Sequence, residues 1–294
     1  VSAPNTTASE AVAAKRPVAL VTGARRGIGR AIALRLVRAG FDIALCDLAL
    51  SDELHATAQE VSVMGGRVAT LKGDIADVTR HQQLLDAAEA ELGPLDCLVN
   101  NAGVSVLSRS DLLDVTPEAY DHCLDINTRG TFFLTQTFAR RLLEMPAGAQ
   151  HRSIVTITSS NAQAVSIQRS EYCVSKAALS MVSSLFAVRL GAEGIGVYEV
   201  VPGLIETEMS SVSKARYDAD IERGWLVLPR WGQPDEVGRV VATLAQGLLP
   251  YTVGQAIRVD GGHADQQILT RIEPRVSPLI AQREPLHRQE IRIR

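Results

Sequence analysis

Cysteine is scarce in this chain, and what there is shows no pattern. The four residues, Cys46, Cys97, Cys123 and Cys173, are far apart and form no C-x-x-C pair. The six histidines show no ligand spacing either, so neither a structural nor a catalytic metal site is expected. Two of the cysteines sit in apolar, strand-like runs, where a buried free thiol behaves as a small hydrophobe. A reducing, cytoplasmic setting follows as an expectation. Charge imbalance is also lacking: the formal net charge of -3 offers nothing that attracts nucleic acid or an anionic membrane. No apolar run is long enough to suggest a bilayer span. The stretch 1–16 lacks the apolar core of a secretory signal and reads as a disordered lead-in.

What is present is the composition of a globular α/β domain, 46% hydrophobic and 21% charged, enough to fill a sizeable core. Apolar runs of strand length fall at 17–22, 41–47, 67–72, 95–99, 153–158, 196–201 and 255–259. They are β-branched and nearly continuous, as strands covered on both faces should be. Helix-period segments lie between them at 27–39, 51–64, 79–92, 116–144, 171–190 and 235–247. This alternation predicts a doubly wound Rossmann fold, a seven-stranded parallel sheet with helices on both faces. With no break in composition, residues 17–262 read as one domain. Two regions fall outside the rhythm. One is 204–228, polar and irregular. The other is the tail 263–294, rich in Arg and punctuated by Pro274, Pro278 and Pro285, which reads as solvated.

The first strand leads into Gly23, Arg25, Arg26, Gly27, Ile28 and Gly29, and then straight into a helix. Glycine permits positive φ and close backbone approach where a pyrophosphate lies against a helix N-terminus. The second strand ends at Asp47, about twenty residues beyond this loop, where a carboxylate can bind the adenosine ribose hydroxyls. It would repel a 2′-phosphate, and Leu48, not an arginine, follows it. Arg25 and Arg26 pull the other way. The carboxylate acts more directly, so NAD is preferred over NADP.

The fourth strand ends in Asn100, Asn101, Ala102 and Gly103, small residues and amides that let the backbone pass close to a cofactor. After the fifth strand come Ser159 and, thirteen residues on, Tyr172, with Lys176 four further. Tyr and Lys four apart share a helix face. A free tyrosine has a pKa near ~10, and a neighbouring cation is expected to lower it, so that Tyr172 can act as general base or acid.

The ordered set strongly resembles the short-chain dehydrogenase/reductase family over about 17–262, most closely its bacterial 3-oxoacyl-acyl-carrier-protein reductase type. The Gly-x-x-x-Gly-x-Gly spacing is that family's rather than the Gly-x-Gly-x-x-Gly of long-chain dehydrogenases. The resemblance implies hydride transfer between a nicotinamide cofactor and an alcohol or ketone carbon. It implies that Ser159 hydrogen-bonds the substrate oxygen and Tyr172 moves the proton. Lys176 would hold the nicotinamide ribose, and Asn127 would interrupt its helix and hold a water leading from Lys176 to solvent. Asp74 and Ile75 would hold the adenine, and Pro202 and Gly203 would shape the wall behind the nicotinamide. The backbone of Ile205 and the side chain of Thr207 would bind the carboxamide.

Partners follow in the same way: a small-molecule or thioester ketone or alcohol, and further copies of the chain in a homodimer or homotetramer that packs the 116–144 and 171–190 helices across a two-fold axis. An acyl carrier protein stays open: His151 and Arg152 offer bases, whereas Glu193 puts an acid where a base would help. A sugar or polyol dehydrogenase is the second reading. The reading from another class is a non-catalytic NAD-binding regulator, which loss of Ser159, Tyr172 or Lys176 would favour; all three are present.

Overall fold

A computed structural model describes residues 15–146 and 150–263. Most of the expected lead-in and all of the tail beyond His263 lie outside the described residues. Among the described residues, seven strands form one sheet: β1 (Val18–Thr22), β2 (Asp42–Asp47), β3 (Val68–Lys72), β4 (Cys97–Asn100), β5 (Arg152–Ile157), β6 (Ile195–Pro202) and β7 (Ala256–Val259). Their order is β3-β2-β1-β4-β5-β6-β7, and every pairing is parallel. β1 therefore has β2 on one side and β4 on the other. The chain reverses its direction of winding there, and a crevice opens at the C-terminal ends of these two strands.

The strands alternate their burial between two helical layers, as a pleat of period two requires. Ala19, Val21, Ile43, Leu45, Val99 and Val155 face α1 (Gly27–Arg38), α2 (Asp52–Val63) and α9 (Pro234–Ala245). Val18, Leu20, Ala44, Leu98 and Ile154 face α3 (His81–Leu92), α5 (Thr131–Glu144) and α6 (Ser170–Leu190). The two-faced hydrophobicity read in the sequence is this double coverage.

Two expectations need correction, and a third is sharpened. The segment 116–144 is not one unbroken helix, and the break falls at Asn127 as the resemblance implied. It runs as α4 (Pro117–Leu124), a π-helical turn (Asp125–Gly130) and then α5. The interruption has two causes. The Asn127 side chain is bonded outside its own helix, to Val104 and Ser175. Gly130 lets the chain after β3 press in, since a Cβ there would lie 2.4 Å from the Ile75 carbonyl oxygen.

Nor is 204–228 irregular throughout. It holds α7 (Glu208–Ser211) and α8 (Lys214–Glu222). Tyr217, Ile221, Leu226 and Trp231 give it a small core of its own. A cluster made across loops carries no periodicity for a sequence reading to detect.

Finally, an apolar stretch suited by length and composition to a membrane does exist: an 18-residue window within Ile167–Glu193 has mean hydropathy 1.4. In the fold this stretch contains α6, which buries Leu179, Val182, Ala187 and Leu190.

Cys46, Cys97 and Cys123 are buried, and burial pushes the first two thiols up to about 12 and the third to about 11. Thiol titration of the native protein at pH 8 should therefore modify at most Cys173, the half-buried one, and all four after denaturation. Rapid native labelling of Cys46 or Cys97 would contradict this packing.

Candidate active site

A hydroxyl and an amide tie the C-terminal ends of β1 and β4 together. The Thr22 hydroxyl donates to the Val99 carbonyl at 3.2 Å and accepts from the backbone N–H groups of Asn101 and Ala102 at 3.1 and 3.0 Å. The Asn101 side chain donates to the carbonyls of Thr22 and Gly23 at 2.8 and 3.0 Å. Gly23 has φ +66°, and a Cβ there would lie 2.9 Å from Ala102 Cα. At Gly29 a Cβ would meet the Gly23 carbonyl oxygen at 2.0 Å and the Asn101 amide at 2.5 Å, so only glycine fits. The glycine loop and the Asn101-Ala102-Gly103 turn, distant in sequence, thus form one tight ridge at the start of α1.

The charged residues of the loop are paired. Asp47, at the end of β2, accepts from the backbone N–H of Arg25 at 3.2 Å and of Leu48 at 2.9 Å. The Arg25 guanidinium lies 3.6 Å from Asp47 and 3.8 Å from Glu53, and Arg26 bonds Glu208. Ile28 packs against the core, while the Leu48 side chain is exposed. Asp74 and Ile75 stand apart, after the outer strand β3: the Asp74 carboxylate accepts from Ala76 N–H, and Ile75 is buried.

The second cluster lies at the ends of β4 and β5. Lys176 is buried on α6, and its ammonium donates to the Ile157 carbonyl at 3.1 Å. It lies 5.8 Å from the centre of the Tyr172 ring, one helical turn back. Burial pushes the Lys176 ammonium down from its ordinary range, and the tyrosine beside it opposes part of that shift. Asn127 is fully buried. Its side chain accepts from Val104 N–H at 2.8 Å and donates to the Val104 carbonyl at 3.0 Å and to the Ser175 hydroxyl at 2.9 Å. A Cβ on Gly103 would lie 2.9 Å from the Asn127 amide oxygen and 3.5 Å from the Lys176 nitrogen, which shows how closely the three converge. Ser159, extended at the end of β5, caps a short turn by accepting from Asn161 N–H at 3.1 Å. Tyr172 is buried, and the Arg169 guanidinium carbon lies 4.2 Å from its ring centre.

On the far side of the crevice, Pro202 ends β6 and Gly203 fits against Asp260. Ile205 is buried, and its carbonyl accepts from the Ser210 hydroxyl at 2.9 Å. Thr207 caps α7 reciprocally with Ser210, and its methyl would meet a Cβ on Gly27 at 3.6 Å. The loop after β6 thus reaches back over the glycine loop.

Sequence reasoning missed several supports. Ser175 relays Asn127 to the Tyr172 carbonyl, to which its hydroxyl donates at 2.9 Å. The buried Glu199 carboxylate accepts from Thr158 at 2.6 Å and Ser180 at 2.8 Å, joining the end of β5 to α6. Glu199 did leave a signal, an acid inside an apolar strand-length run.

A family described as Enoyl-(Acyl carrier protein) reductase matches residues 23–264. The chain is 31% identical over 246 residues to 2-dehydro-3-deoxy-D-gluconate 5-dehydrogenase of Dickeya dadantii, covering 83% of this chain and 94% of that one. It is 30% identical over 245 residues to the 3-oxoacyl-acyl-carrier-protein reductase of Staphylococcus epidermidis, covering 83% and 97%. The crystal structure of 3-oxoacyl-acyl-carrier-protein reductase from Brucella melitensis in complex with NAD superposes with a TM-score of 0.82, at 44% identity, over 85% of this chain and 98% of that one. The chain belongs to the short-chain dehydrogenase/reductase family of oxidoreductases. Its fold is the Rossmann fold of that family.

Replacing Asn127 with Leu leaves the Val104 N–H and carbonyl without buried partners. At about 1–3 kcal/mol for each unsatisfied group, denaturation in urea should show a loss of roughly 2–6 kcal/mol. A loss below about 0.5 kcal/mol would show that the amide does not hold the two segments together.

Proposed function

We propose that this chain interconverts a secondary alcohol and a ketone, with Tyr172 as general acid and base. The observation that carries the reading is the buried Lys176 ammonium, held by the Ile157 carbonyl one helical turn from Tyr172. A nicotinamide dinucleotide bound across the β1–β4 crevice would supply or accept the hydride. The chain's own residues do the rest. The ridge of Gly23, Gly27 and Gly29 takes the pyrophosphate at the helix N-terminus. Ser159 donates to the substrate oxygen. In ketone reduction Tyr172 gives its proton to that oxygen, and the ammonium of Lys176 stabilises the negative charge left on the phenol. In alcohol oxidation the same proton returns. Asn127 holds a water through which the proton passes between Lys176 and solvent. Ile205 and Thr207, with Pro202 and Gly203 behind them, orient the nicotinamide, and Asp74 and Ile75 border the adenine.

NAD is the preferred cofactor. Asp47 is bonded to the backbone of the glycine loop and keeps an anion at the ribose position. The two arginines that would attract a 2′-phosphate already have acidic partners in Asp47, Glu53 and Glu208. A 3-oxoacyl thioester is one substrate class, supported by the relatives of that name. A sugar or polyol is the other, favoured by the polar wall of Ser105, Asn161 and Arg169 beside Tyr172. We further propose that residues 17–262 act as one catalytic domain in a reducing, cytoplasmic setting. In this reading α6 pairs with a second copy through the exposed stripe of Val174, Met181, Leu185 and Val188, giving a homodimer or homotetramer; light scattering that reads a monomer overturns this pairing.

Tyr172→Phe should lower turnover of any accepted ketone by about 10²–10⁴-fold while NADH still binds. Turnover within a few-fold of the wild type removes Tyr172 from the reaction. In the same assay kcat/KM should be higher with NADH than with NADPH, and the reverse order overturns the reading of Asp47.

A further inference from the structure

Arg169 ends the short turn (Ile167–Arg169) that leads into α6, three residues before Tyr172. Many arginines elsewhere in the fold are matched to acids: Arg25, Arg26, Arg30, Arg35, Arg67, Arg141 and Arg230 each have a carboxylate within 4 Å. Arg169 forms no ion pair with any described residue. Its guanidinium makes two long bonds to neutral oxygens, one to Asn161 at 3.3 Å and one to Ser105 at 3.4 Å. Its Nε is shielded from solvent and has no hydrogen-bond partner.

The position is fixed by stacking. The guanidinium carbon lies 4.2 Å from the centre of the Tyr172 ring, a separation at which a cation is held on the aromatic face. A stacked guanidinium keeps its N–H groups available around its edge, and that planar fork matches a carboxylate two oxygens to two donors. Desolvation makes an unpaired cation costly, so an anion arriving here gains more than it would at the surface. The residue also adds to the positive field of the pocket, since it opposes the charge on Lys176.

Resting on the oxidoreductase reading above, we propose that Arg169 is a specificity-determining residue that binds a carboxylate of the substrate, which makes the preferred substrate a keto acid or hydroxy acid, sugar acids included. The carboxylate docks on the free edge of Arg169 with help from Ser105 and Asn161, and the carbonyl lies within reach of Tyr172 and Ser159. Reduction adds a hydride to the carbonyl carbon and a proton from Tyr172 to its oxygen; the carboxylate keeps its charge throughout. A neutral thioester or ester of the same acid has the same reacting carbon and loses this contact.

The test compares acetoacetate with methyl acetoacetate, each reduced with NADH by the full-length chain. The wild type should favour the acid in kcat/KM by about 10–100-fold, that is about 1.4–2.8 kcal/mol. Arg169→Gln should bring the ratio close to one, and Arg169→Lys should restore part of it. Because the readout is a ratio within one protein sample, a partly folded variant does not distort it. A wild-type ratio near one, or a ratio unchanged in Arg169→Gln, overturns the proposal and leaves the dehydrogenase reading standing. If neither compound is reduced, calorimetric titration of both into the protein with NAD decides. Acid bound at least tenfold tighter than ester by the wild type but not by Arg169→Gln supports the anion site and shows that acetoacetate is not the keto acid reduced. Equal binding overturns the anion site.

Discussion

An ammonium ion removed from water must be surrounded by groups that accept from it, and the active end of this molecule is arranged around that requirement. Lys176 is buried on a helix otherwise apolar enough to cross a membrane, and the effective penalty for burying such a charge is on the order of several kcal/mol. The Ile157 carbonyl meets part of the demand directly. Glu199 adds a smaller negative influence, held in place by Thr158 and Ser180. The Tyr172 ring lies alongside. A charge that the fold tolerates only with this much support is poised to respond when the phenol beside it changes charge, and the proposed chemistry uses that response.

The broken helix supports the same region. A regular helix through 116–144 would keep the Asn127 amide on a packing face. In the π-helical turn the amide instead bonds the backbone at Val104 and the Ser175 hydroxyl, so the loop after β4 and the helix bearing Tyr172 and Lys176 are held together. Thr22 and Asn101 do the equivalent work at the other strand ends, joining β1 to β4 where the winding reverses. The glycine ridge and the Tyr172–Lys176 pair are therefore fixed to the same few backbone segments, and a displacement of β4 would disturb both.

The fold was legible because its signals are local and periodic. Runs buried on both faces, alternating with helices, left one arrangement open, and all seven predicted strands match observed strands to within two residues. The glycine, Asn, Tyr and Lys spacings of the candidate site are local signals of the same kind. What escaped notice depends on contacts between residues far apart in sequence. Ser175 and Ser210 are ordinary helix serines until the fold puts Asn127 and Ile205 beside them. Arg25 and Arg26 read as free cations that argued for a 2′-phosphate, whereas the structure pairs both with acids, one of them more than 180 residues away. The aromatic cluster of Tyr217, Trp225 and Trp231 anchors α8 inside a segment read as irregular, through contacts that span loops.

The most direct test of the central claim is the single-turnover rate of hydride transfer, followed by nicotinamide absorbance with cofactor saturating, in the wild type and in Lys176→Met. The side chain of methionine fills much of the same space without the charge, so the comparison isolates the ammonium. The account predicts a fall in that rate of about 10²–10³-fold, the scale of a lost electrostatic contact to charge that develops during reaction. A rate within a few-fold of the wild type would contradict it.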